Sequence, residues 1–340
     1  ALFVATIVAI IAKAMPMGAA TLVALVISGL TGLTPISPKQ GDVGMLSGFA
    51  NGTIWLIAIA MFLSRAVIKT GLGKRIALYF VGRFGKKMMG VAYGMALADV
   101  VIGPGIPSAS ARGGGIMYPI MQSIADAYES KPGPTARRAG AFLAIAVSQI
   151  DTIICTMFLT AMAGNPLIAE LAKSQGVEIT WMTWFLGAIV PGIVSLIVLP
   201  YFVYLIYPPE LKDTPKMAEM AREELKSMGP MSKAEWILAL DFILLLFLWT
   251  VGDLVFHIPA TISAFIGLVI LLLTNIMSWK NIVAETTAWD TMFWFAVLVM
   301  MANALNKYGA ITWISTHISS SVGSFSWPVA FTILVLVYFY

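Results

Sequence analysis

Charge is what this sequence has least of. Only 11% of its 340 residues are Asp, Glu, Lys or Arg, while 59% are hydrophobic and the mean hydropathy is +0.88. A soluble domain carries roughly 25% charged residues, so most of this chain must face lipid or other apolar helices. The net charge of +4 therefore does not mark a nucleic-acid surface; in a membrane chain Lys and Arg report sidedness. A single cysteine, Cys155, excludes a disulfide framework within the chain. The two histidines, His257 and His317, stand apart with no metal-ligand spacing around either. No His-Glu-x-x-His, paired-aspartate or Gly-x-Ser-x-Gly pattern occurs, which argues against a membrane-embedded enzyme.

What the chain has instead is long apolar runs. A span needs about 20 apolar residues. Candidates are Met17–Leu33, Ile54 running on towards Thr70, Ala139–Ala163, Met182–Tyr207, Trp236–Phe256, Ala260–Met277 and Met292–Leu305, after a partial run at Ala1–Ile11. Ala1 opens and Tyr340 closes within apolar runs, so both ends are expected to be cut. Between Pro208 and Glu235 lie five basic and six acidic residues, with two prolines at the start and Met at helical spacing. That stretch reads as a solvated amphipathic linker between two halves.

The halves resemble one another. Ala50 to Ile57 is echoed by Ala288 to Phe295 at an offset of 238, which also maps Lys69 onto Lys307, Gly71 onto Gly309 and Ile76 onto Ile314. With a two-residue slip, Ala20-Thr21-Leu22 matches Ala260-Thr261-Ile262. Residues 70–102 contain Lys74, Arg75, Arg83, Lys86 and Lys87, whereas 308–340 contain no Lys or Arg. The positive-inside rule puts the first region in the cytoplasm and its twin on the far side, as expected of an inverted repeat. On the same offset Tyr340 corresponds to Ile102, which leaves the second copy of the following break beyond residue 340.

That break opens the first of two interrupted segments. Met88–Val101 is about 14 residues long, short for a crossing, and runs into Gly103-Pro104-Gly105-Ile106-Pro107-Ser108-Ala109-Ser110-Ala111-Arg112-Gly113-Gly114-Gly115. Lys86 and Lys87 precede it, and Lys131, Arg137 and Arg138 follow, so the segment is expected to start and end on one side, as a re-entrant hairpin. Backbone N–H groups of the three glycines at the start of the returning helix suit a carboxylate. Arg112, the only basic residue between Met88 and Glu129, could grip that carboxylate bidentately, or it could brace carbonyls of the tip or pair with Asp99 or Asp151. The second interruption is Thr160 to Pro166. There a helix is expected to end at Gly164, with Asn165 as N-cap and Pro166 opening the next helix. Gln149, Asp99 and Asp151 are candidates for pairing or proton binding. Asp241, Asp253 and Asp290 read as interface residues near span ends.

Ile106 to Gly115, with Met162-Ala163-Gly164-Asn165-Pro166-Leu167, resembles the divalent anion/sodium symporter family. It is most similar to the branch of bacterial citrate/succinate and tartrate/succinate antiporters and plastid 2-oxoglutarate/malate translocators. Leu46 to Phe49 and Lys69 to Gly73 are similar to the same branch. The resemblance implies an all-α, dimeric, elevator-type carrier in which a transport half moves past a scaffold half. It also puts the family's Ser-Asn-Thr tip on Ser108, Ala109 and Ser110, where Ala109 lacks the side-chain oxygen that contacts substrate and sodium in relatives.

The expected chain is thus an all-α polytopic inner-membrane protein of two inverted repeats. Scaffold helices cover 1–87 and 236–325, and a transport half covers 88–207, with a hairpin at 88–130 and a broken helix at 139–175. The linker is 208–235, and a second hairpin starts at 326–340. The expected substrate is a small di- or tricarboxylate, held by Ser108, Ala109, Ser110, Arg112, Gly113, Gly114, Gly164, Asn165 and Pro166. It is exchanged without a cofactor by a homodimer that binds no nucleic acid. The alternative is sodium coupling, with the ion on Ser108, Gly164 and Asn165.

Overall fold

The computed structural model describes residues 1–174 and 176–339, and among these there is no β-strand. The helices are α1 (Leu2–Ile11), α2 (Met17–Leu30), α3 (Gly52–Thr70), α4 (Leu72–Phe84), α5 (Met88–Ile102), α6 (Ala109–Arg112), α7 (Tyr118–Ala127), α8 (Gly140–Met157) and α9 (Gly164–Ser174). They continue as α10 (Trp181–Ile206), α11 (Pro215–Ser227), α12 (Lys233–Phe247), α13 (Asp253–Phe256), α14 (Ala260–Leu273), α15 (Trp279–Val283), α16 (Thr286–Lys307), α17 (Ala310–Val322) and α18 (Trp327–Phe339). Among the described residues, six helical segments are long and apolar enough to cross a bilayer: Gly52–Thr70, Met88–Gly105, Gly140–Met157, Trp181–Ile206, Lys233–Phe256 and Thr286–Lys307. The molecule is an all-α, multi-pass membrane protein. Gln175 of the expected broken helix, and Tyr340 with its expected match to Ile102, lie outside the described residues.

Local sequence explains where the helices start. Thr180 and Thr183 form a reciprocal capping box at α10, as do Ser232 and Glu235 at α12 and Ser278 and Asn281 at α15. Each box satisfies two backbone donors that a helix start leaves open.

The chain forms two compact units, residues 1–54 with 290–340, and residues 55–289. In the first, Ala24 and Leu25 of α2 pack on Val297, Met300 and Met301 of α16. Lys307 pairs with Asp42, and the Tyr308 hydroxyl donates to the Leu33 carbonyl at 2.7 Å. In the second, α8 lies along α5 and α10, and α4 lies between α5 and α11.

Backbone details repeat along the chain. Gly71 joins α3 to α4 at φ +79°, and Gly309 joins α16 to α17 at φ +77°, a left-handed turn that glycine adopts without strain. The N–H groups of Gly85 and Gly323 reach back to the Val81 and Ser319 carbonyls at 2.7 and 2.8 Å. Both pairs keep the offset of 238. The earlier helix pair does not keep the expected slip. Pro16 and Pro259 cap α2 and α14, and Gly32 and Asn275 follow them with positive φ, at an offset of 243. Ala20 therefore corresponds to Ser263 and not to Ala260, a correction of three residues. Short matches between apolar helices recur by chance, whereas caps and left-handed turns mark true positions.

The first interrupted segment is also longer than expected. α5 runs on through a 3-10 turn at Gly103–Gly105, so this arm measures about 27 Å and length alone does not forbid a crossing. What makes it a hairpin is where its ends lie. The N–H of Met88 donates to Lys212 and that of Thr214 to Lys86, while those of Glu210 and Leu211 donate to Arg137 and Arg138, all at 2.8–3.1 Å. Four residues of the stretch 210–214, which spans at most about 18 Å, thus tie down both roots. Beyond them, α11 buries Met217, Ala218 and Ala221, and Arg222 Nε donates to the Gly82 carbonyl of α4 at 2.8 Å.

Candidate functional site

The hairpin turns at Ile106 and Pro107. Proline disfavours helical backbone in the residue before it, and Ile106 is extended at φ −132°, ψ 99°. Ser108, also extended, then caps a helix. Its hydroxyl accepts from the Ala111 N–H at 3.3 Å and lies 3.0 Å from the Ser110 hydroxyl. From Ala109 the chain stays helical to Ala127, with a π turn at Gly113–Met117. This corrects the expected helix start. The open donors belong to Ala109 and Ser110, because the first N–H groups of a helix have no intrahelical acceptor. The glycines lie a turn later, where the Gly113 N–H already meets the carbonyls of Ala109 and Ser110. Serine is the stronger N-cap, and that sets the register. Ser110 and Gly114 are exposed, and Ser108, Ala109 and Gly113 are partly so. Gly113 and Gly114 border a cavity of about 290 Å³ with Tyr118, Ser148 and Asp151.

Arg112 lies behind this surface with no exposed area. Its Nε sits 3.1 Å from Asp99 Oδ1 and 3.0 Å from Asp151 Oδ1. Nη1 donates to the carbonyls of Ile106 and Ala161, and Nη2 to the Cys155 sulfur at 2.9 Å. In one straight helix, residues 99 and 112 would be about 20 Å apart, so this pairing exists only because the chain reverses between them. The guanidinium is engaged on every side by internal partners, which is the bracing arrangement of the two that the sequence left open.

The second interruption falls earlier than expected. α8 ends at Met157, Phe158 is extended, a 3-10 turn covers Leu159–Ala161, and α9 begins at Gly164. Asn165 lies inside α9's first turn, and its amide nitrogen donates back to the carbonyls of Cys155 and Phe158 at 2.6 and 3.0 Å. It therefore satisfies the loose C-terminal carbonyls of the preceding helix, where an N-cap to the next was expected. Asn165 and Pro166 are buried and Gly164 is partly exposed.

The two breaks meet through groups that sequence reasoning passed over. Thr160 Oγ1 donates to the Pro104 carbonyl at 2.7 Å and accepts from Trp181 Nε1 at 3.2 Å. Phe158, Trp181 and Phe185 stack beside them. A threonine in an apolar run is ambiguous, because it more often bonds its own helix. At Gly105 any Cβ would stand 2.7 Å from the Phe242 ring of α12, so glycine is what lets the tip seat there. Asp241 is a further correction. It is 2% exposed within α12 and accepts no hydrogen bond among the described residues, so it is packed inside the protein and not set at its surface.

A capped helix start carrying two hydroxyls, presented where a membrane hairpin reverses beside a second broken helix, is the kind of construction with which secondary transporters hold anions. The fold is that of a multi-pass, all-α membrane protein. Residues 1–340 match the family model described as the sodium:sulfate symporter transmembrane region, and the chain belongs to that family. It is 50% identical over 335 residues (98% of this chain, 69% of the relative) to a putative malate transporter of Bacillus subtilis. It is 44% identical over 344 residues (100% and 59%) to the chloroplastic dicarboxylate transporter 1 of Spinacia oleracea. A citrate/succinate antiporter of Escherichia coli is 32% identical over 354 residues (100% and 72%). The chain thus spans 59–72% of the length of these relatives.

Proposed function

We propose that this chain carries the first hairpin site of an exchanger of small dicarboxylate and tricarboxylate anions in the inner membrane. The observation that supports it most is the tip itself, where Ser108 caps the helix start, its hydroxyl lies 3.0 Å from that of Ser110, and the first N–H groups, of Ala109 and Ser110, have no intrahelical acceptor. A helix N-terminus favours an anion, and the Ser108–Ser110 hydroxyl pair, which spends one proton on its own hydrogen bond, leaves one O–H to donate to a carboxylate. Gly113, Gly114 and Gly164 would leave room for the substrate to approach the backbone. Arg112 would act as a positioning residue, holding the tip against the second break while its positive charge faces Asp99 and Asp151. Asn165 and Pro166 would fix the start of α9, and a homodimer would carry two such sites.

Exchange is favoured over sodium coupling by Ala109, which brings no side-chain oxygen to the middle of the tip. The names of the relatives, transporters of dicarboxylate and malate and a citrate/succinate antiporter, support the substrate class. The test is uptake of labelled succinate by the full-length protein in vesicles, either empty or loaded with unlabelled succinate. Uptake confined to loaded vesicles and indifferent to sodium supports exchange. Sodium-driven uptake into empty vesicles would replace it with symport on Ser108, Gly164 and Asn165.

A further inference from the structure

A cavity of about 840 Å³ opens between α4, α5, α11 and α12. Its lining includes Arg75, Arg222 and Lys226 and no Asp or Glu; the rest is predominantly apolar and includes Val101, Phe242 and Leu246. Arg75 is already neutralised, since its Nε meets Glu235 at 2.6 Å and its Nη1 the Gly229 carbonyl at 2.8 Å. Arg222 uses only Nε, and the Lys226 ammonium makes no ion pair or hydrogen bond among the described residues. Two cations therefore line the cavity without an ion pair among the described residues, on the linker helix that follows the hairpin roots. Val101 and Leu246 each lie thirteen residues into their segments, which start at Met88 and Lys233, a depth of about 20 Å. One leaflet supplies about 15 Å of hydrocarbon plus its headgroup layer.

We propose that this cavity binds one anionic phospholipid from the leaflet on the side of the hairpin roots. Its phosphate rests on Arg222 and Lys226, and its acyl chains run between α5 and α12 to Val101 and Leu246. Basic pockets between membrane helices take anionic headgroups in this way. The apolar length matches a leaflet and the two cations match a phosphodiester, whereas another apolar protein segment would leave both cations unpaired. The lipid would bridge the first arm of the hairpin and α12, independently of which anion the tip carries.

Native mass spectrometry of the full-length protein, purified from vesicles of equal phosphatidylglycerol and phosphatidylcholine, tests this. Wild type is expected to retain phosphatidylglycerol selectively. Arg222→Gln with Lys226→Gln should weaken retention about thirtyfold, as expected for two cations at a lipid surface, and Lys173→Gln should leave it unchanged. Val101→Trp, which fills the cavity and keeps both cations, should expel the lipid in a protein whose fold is verified by circular dichroism. No selective retention by wild type would mean that the rest of the chain or a second copy covers the cavity, and would overturn the proposal. So would inorganic phosphate displacing the lipid completely, which would mark a site for a free anion.

Discussion

Replacing Arg112 by Met separates the two roles that a membrane arginine at a transport site can play. The guanidinium has no exposed area, and its neighbours Asp99 and Asp151 are 1% and 7% exposed. Removing one partner of a buried ion pair costs about 3–5 kcal/mol, because the remaining charge is uncompensated. Two carboxylates would be left here, together with the Ile106 and Ala161 carbonyls, each about 1–3 kcal/mol if unsatisfied. These costs share one network and do not add, so about 4–6 kcal/mol is expected. Thermal unfolding in detergent would show a large fall in midpoint, with protease sensitivity at the tip. The diagnostic step is neutralising the whole cluster: Arg112→Met with Asp99→Asn and Asp151→Asn should regain most of the lost stability and some succinate binding. A single Arg112→Met protein as stable as wild type, yet unable to bind any anion, would refute the brace and make Arg112 a direct ligand.

Other changes probe the remaining supports. Ser108→Ala removes an N-cap and should cost about 1 kcal/mol while weakening succinate binding, whereas Ser108→Thr should keep most of both; thermal midpoint and calorimetric titration check this. Asn165→Leu frees the carbonyls of Cys155 and Phe158 and should destabilise by about 1–3 kcal/mol, read in the same unfolding assay. Gly105→Val pushes into the Phe242 ring and should slow transport, with Phe242→Ala in the same chain restoring it. The exposed Asp42 carboxyl is held below its ordinary value, chiefly by its hydrogen bond from Lys307 and then by that residue's charge. A depressed folded value means the contribution is present above the unfolded value of about 3.9 and is lost as pH falls through the folded one. Asp42→Asn should therefore flatten the acid side of the midpoint–pH curve slightly, as befits a screened surface pair; a steeper acid limb would contradict the pairing.

Much of this was legible in the sequence because it depends on composition and on residues with one physical use. The scarcity of charge set the solvent, the apolar runs placed the helices, and Lys86, Lys87, Arg137 and Arg138 marked the two hairpin roots that residues 210–214 join. The offset of 238 was read from the echo of Ala50–Ile57 in Ala288–Phe295, and the left-handed joints at Gly71 and Gly309 keep it. Ser108 and Asn165 were harder. Ser, Asn and Gly can each cap a helix, and the winner depends on backbone direction, so the first helix starts ahead of the glycines and Asn165 serves the helix behind it. The sequence named both fates of Arg112 but could not choose between them. The arginine's partners come from α5, α8 and both breaks, separated by up to 49 residues, and only the folded hairpin brings them together. The burial of Asp241 was hidden for a related reason, since burial of one face of an apolar helix leaves little trace in a sequence apolar all round.

The central claim is that a dicarboxylate rests on the hairpin tip. The most direct measurement is thiol labelling of a full-length Ser110→Cys variant in membranes, with and without succinate. Cys155 is buried and contributes little background. Succinate should slow labelling at position 110 in proportion to its occupancy, and a monocarboxylate should not. Labelling that proceeds at the same rate with saturating succinate would place the substrate elsewhere and contradict the account.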